Sequence, residues 1–99
     1  MTRDDLTSTY AIIRHNIRTY RSAGVVEVVK GKLRAESTLR KLETWQDSTD
    51  HHEGWRYFIE RSHLKAGTDP RDATRHRQAE FERQESEGLR KKKTPIAPA

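Results

Sequence analysis

Residues 24–34 read GVVEVVKGKLR, and the conformation of this stretch decides the fold class of the whole chain. Four of the five residues from Val25 to Val29 are β-branched valines, and Gly31 follows as a break, which is the composition of a strand entering a turn. A lone strand or hairpin is marginal in water, however, and needs further strands to complete a sheet. Nothing else in the sequence has evident strand character, so helix is the reading favoured here, and with it an all-α protein.

The segments on either side support that expectation. Before it, Leu6, Tyr10, Ile13, Ile17 and Tyr20 follow spacings of 4, 3, 4 and 3, which place all five on one stripe of a helix spanning about residues 3–22. Ala23-Gly24 supplies its stop. After it, Ala35, Leu39, Leu42 and Trp45 keep the helical interval, giving a helix over roughly 36–46. In DHHEGWRYFIERSH (residues 50–63) an acidic start precedes Trp55, Phe58, Ile59 and Ser62 on one face, with Ala66-Gly67 as stop, so a third helix is expected over about 50–65. Thr68-Asp69-Pro70 has the cap and first-position proline of a fourth. The expected architecture is three to four amphipathic helices, as a bundle or extended helical hairpin, with a polar last helix. Residues 1–67 form a helical core, 68–89 a charged helix, and 90–99 a disordered basic tail.

Composition narrows the function. Ninety-nine residues set a soft limit of one domain with a thin core. Apolar residues make up 31% and charged residues 35%, with mean hydropathy −1.10, so apolar faces completed by a second chain are expected. The net charge of +5 is concentrated at one place. Residues 1–89 carry 16 basic and 15 acidic side chains, and the other four cations are Arg90, Lys91, Lys92 and Lys93. A basic tail is a weaker sign of nucleic-acid binding than a basic face. No apolar run reaches the roughly 20 residues of a membrane span, and the charged first twenty residues do not read as a secretory signal. A cytoplasmic protein is expected.

The absence of cysteine removes disulfides, thiolate metal sites and cysteine nucleophiles. His52-Glu53 begins like the zinc-hydrolase helix signature, but the second histidine's position holds Arg56. On a helix His52 and His63 stand about 16 Å apart, too far to share a zinc ion. Asp47 with His51 is the best remaining pair, and two ligands do not make a site. No phosphate loop, nucleophile elbow or carboxylate pair appears, so no catalytic residue, cofactor, metal or small-molecule substrate is assigned.

The expected function is that of a small interaction or regulatory protein. It self-associates as a homodimer or larger homo-oligomer, or docks on a larger protein, through Tyr10, Ile13, Ile17 and Tyr20 of the first seam and the aromatic set Trp45, Trp55, Tyr57, Phe58 and Ile59. The alternative is a helical nucleic-acid-binding protein. It uses a row of Arg14, Arg18 and Arg21 on the first helix together with Arg90–Lys93.

Overall fold

Val25–Val29 lie in a strand, and the sheet that a strand requires is supplied by two segments whose spacing had indicated helix. The computed structural model describes residues 3–93 and gives the order α1 (Arg3–Thr7), β1 (Thr9–Asn16), β2 (Ser22–Lys30), α2 (Lys32–Trp45), α3 (Ser48–Glu53), β3 (Trp55–Ser62) and α4 (Pro70–Lys93). The all-α expectation and the helical bundle are therefore overturned: the protein is an α/β fold on a three-stranded antiparallel sheet of order β2-β1-β3. Residues 90–93, expected in a disordered tail, belong to the backbone of α4. The rest of that tail, 94–99, lies outside the described residues.

The central strand explains the misdirection. Both faces of β1 are covered, so Tyr10, Ala11, Ile12 and Ile13 are all buried and the alternation that marks a half-exposed strand is absent. Tyr10 packs with Val29, Ala35 and Ile59 on the face covered by α2. Ala11 and Ile13 pack with Val25, Val28, Ala73 and Leu64 on the face covered by α4. Ile12 is fully buried, a contribution of about 1.5–3 kcal/mol for a side chain of its size. Small residues let both helices approach: Ala35 and Ala73 have no exposed surface.

Asn16 joins three parts of this frame. It is 3% exposed at the end of β1. Its Oδ1 accepts from the Arg18 and Thr19 backbone N–H groups at 2.8 and 3.0 Å, which folds the turn into β2. Its Nδ2 donates to the Glu53 carbonyl at 3.1 Å, which ties that turn to the end of α3. There Gly54 closes α3 in the left-handed conformation (φ 104°) and starts β3. The start of α3 is capped by Asp47, whose carboxylate accepts from the Thr49 N–H at 3.0 Å. Asp69 accepts from the Arg71 N–H at 2.8 Å where α4 begins.

Candidate functional site

A three-stranded sheet has two edges, and the chain treats them differently. Antiparallel pairs alternate between those that exchange backbone hydrogen bonds and those that do not. Ile13 opposes Val25 and Ala11 opposes Val28 in non-bonded pairs, so Val25 and Val28 turn their backbone groups away from β1. One group of each is satisfied from outside the sheet. The Val25 N–H donates to Thr74 Oγ1 at 2.9 Å and the Val28 carbonyl accepts from the Gly67 N–H at 2.9 Å. The fit is close: a Cβ on Gly24 (φ 93°) would stand 2.6 Å from the Thr74 methyl. α4 and the loop before it therefore cover the β2 edge at Val25 and Val28.

The edge at β3 is open. Ile17 donates its N–H to the Gly54 carbonyl at 2.8 Å, which fixes the phase of the β1–β3 ladder. In β3 the even-numbered residues then bond to β1, while Trp55, Tyr57, Ile59 and Arg61 present N–H and C=O outward. The Trp55 carbonyl is occupied by Gln46 Nε2 at 2.7 Å and Arg56 Nη1 at 2.8 Å. Among the described residues, nothing bonds to the outward backbone groups of Tyr57 or Ile59. The register of β3 on β1 runs without a bulge from Trp55 to Ser62, and the strand holds neither lysine nor proline. Those are the usual devices that spoil an edge for pairing, although charged Arg56, Glu60 and Arg61 are present.

An apolar surface adjoins this edge on the α4 face. Phe58 is 47% exposed and meets His15 edge-on, with ring centroids 6.2 Å apart. Arg77 crosses from α4 to bond Glu60 through Nε at 2.7 Å and Nη2 at 3.4 Å. Its guanidinium carbon lies 4.5 Å from the ring centroid of Phe81, which is 48% exposed one turn farther along α4. Thr74 stands at the edge of β2 and the Arg77 side chain reaches Glu60 in β3, so α4 is tied to both outer strands.

The residues named from sequence do not come together as one surface. Tyr10 and Ile13 are core residues on opposite faces of the sheet. Ile17 and Tyr20 are exposed in the β1–β2 turn, where Tyr20 has φ 59°. Trp45, 76% exposed, ends α2. Trp55, Tyr57 and Ile59 are half-buried on the α2 face, and Phe58 points to the other. The arginine row is broken: Arg14 is drawn over Trp55, 4.0 Å from its centroid, and pairs with Asp50 at 3.3 Å. Arg18 and Arg21 remain in the turn. Arg90, Lys91, Lys92 and Lys93 close α4.

Asn16, the free backbone of Tyr57 and Ile59, and the pairing of Arg77 with Glu60 were not found from sequence. Asn16 followed by IRTY carried a turn signal that the helical spacing masked. Among the described residues no three His, Asp or Glu side chains converge on a metal position, and no helix is long and apolar enough to cross a membrane. No protein-family model matches the chain, and no curated protein or solved structure matches it either.

Proposed function

We propose that the chain is a non-catalytic binding module that takes a β-strand of another polypeptide onto the open edge of β3. The observation that carries this reading is the asymmetry of the two edges. Thr74 and Gly67 each satisfy one outward group of β2, at Val25 and Val28, whereas Tyr57 and Ile59 keep theirs unbonded beside the exposed ring of Phe58. Strand addition draws affinity from main-chain hydrogen bonds and specificity from neighbouring side chains, and this edge offers both. The sequence expectation of docking through amphipathic helices is replaced by docking through a strand.

A synthetic peptide of residues 55–62 tests the reading, because its sequence is already compatible with this sheet. Added to the full chain, it is expected to shift the backbone amide resonances of Tyr57 and Ile59, and to lose its effect on a Tyr57→Pro variant. An absence of any shift at the edge overturns the reading. A parallel titration with single-stranded and duplex DNA at two salt concentrations covers the polyanion alternative. A complex that weakens with salt and is lost on changing Arg18 and Arg21 to Ala moves the function to the β1–β2 turn.

A further inference from the structure

We infer that the strand received by the β3 edge is β3 of a second copy of this chain, paired antiparallel about a twofold axis at Phe58. The inference rests on the edge reading above and names its occupant. A twofold axis perpendicular to a sheet and passing through a residue of the strand sets outward-bonding residues against outward-bonding residues whichever residue it passes through, so the side chains decide the register.

Centring on Phe58 sets Phe58 against the partner's Phe58, Tyr57 against the partner's Ile59, Arg56 against the partner's Glu60, and Trp55 against the partner's Arg61. Each of these is a favourable cross-strand combination, and each of the last three occurs twice. Centring on Ile59 instead sets Phe58 against Glu60 and Arg56 against Ser62. Centring on Tyr57 sets Arg56 against Phe58 and pairs neither charge. Charge complementarity therefore selects Phe58. Arg56 is free for the role, since it makes no ion pair among the described residues and uses Nη1 on the His51 and Trp55 carbonyls.

The backbone agrees. Tyr57 and Ile59 are the residues with unbonded outward groups, and in this register they face each other as hydrogen-bonded pairs. The occupied Trp55 carbonyl falls in the outer Trp55–Arg61 pair, so the backbone bonds of this register are carried by the two Tyr57–Ile59 pairs.

Three measurements test this. Light scattering over a concentration series is expected to approach twice the 11.6 kDa chain mass. Arg56→Glu and Glu60→Arg are each expected to stay monomeric, and an equimolar mixture of the two to form a heterodimer, because each charge then meets its opposite. Since the chain has no cysteine, Phe58→Cys reports the axis directly. Facing residues of a non-hydrogen-bonded antiparallel pair are about 4.5 Å apart between Cα atoms, inside the disulfide range, so mild oxidation is expected to give a covalent dimer. Ser62→Cys is expected to give none. Glu60→Arg also removes the Arg77 ion pair, and the Phe58→Cys result stands independently of that loss. A wild-type chain that stays monomeric, a mixture that does not pair, or cross-linking at Ser62 rather than Phe58 overturns the inference. If the full chain stays monomeric while the 55–62 peptide still engages Tyr57 and Ile59, the edge reading survives and the second copy does not. If neither occurs, both fall.

Discussion

At the scale of single residues, stability is concentrated where a polar or backbone requirement admits one side chain. Asn16 is buried with both ends of its amide used, so Asn16→Ala strands two backbone donors and a carbonyl and is expected to cost about 1–3 kcal/mol in urea unfolding. Asn16→Asp is expected to cost a similar amount, because the carboxylate keeps the acceptor but turns an oxygen toward the Glu53 carbonyl. Gly24→Ala combines a left-handed backbone with a Cβ inside the Thr74 side chain, and a loss of about 2–4 kcal/mol is expected. Tyr20 has the opposite sign. It sits at φ 59° with 82% of its surface exposed, so Tyr20→Asn is expected to raise stability by up to about 1 kcal/mol by relieving the left-handed cost. A clear loss of stability there would show that the Tyr20 ring makes contacts worth more than its strain.

At the scale of elements, the two edges of the sheet should respond differently to the same kind of change. Thr74→Val keeps the shape that packs on Gly24 but leaves the Val25 N–H without its acceptor, so about 1–2 kcal/mol should be lost and the Val25 amide should exchange faster with solvent. On β3, proline reads out which way each N–H points. Tyr57→Pro removes a donor that faces outward, whereas Phe58→Pro removes one from the β1–β3 ladder. Thermal melts are expected to show Phe58→Pro as much the more damaging. Equal damage would mean that the Tyr57 N–H is engaged within the monomer.

At the scale of the whole molecule, what the sequence disclosed depended on how many faces each element buries. Some element signals held and others did not: Asp69-Pro70 opens α4 and Ala35 with Leu39 and Leu42 lies in a helix, whereas Ala23-Gly24, read as a helix stop, falls inside β2, and the helix expected over 50–65 is a short α3 followed by β3. The strands were not legible. Tyr10, Ile13 and Ile17 fall at helical intervals, but Ala11 and Ile12 between them are just as buried, since a central strand covered on both sides shows a continuous apolar run instead of alternation. Misreading that strand deprived Val25–Val29 of a partner, and the whole sheet was lost with it. Helical spacing sets Phe58 and Ile59 on one face, whereas in β3 they point to opposite ones. The order Arg56-Tyr57-Phe58-Ile59-Glu60 is self-complementary only on a strand, so helical spacing conceals the open edge and its proposed occupant. Whether the β3 edge is open in the monomer and is the surface by which it binds is read from amide hydrogen exchange at Tyr57 and Ile59 in dilute and in concentrated protein. Fast exchange of both when dilute, with Phe58 and Glu60 slow, and protection of Tyr57 and Ile59 on concentration, is the expected result. Protection of all four amides already in the dilute monomer would contradict it.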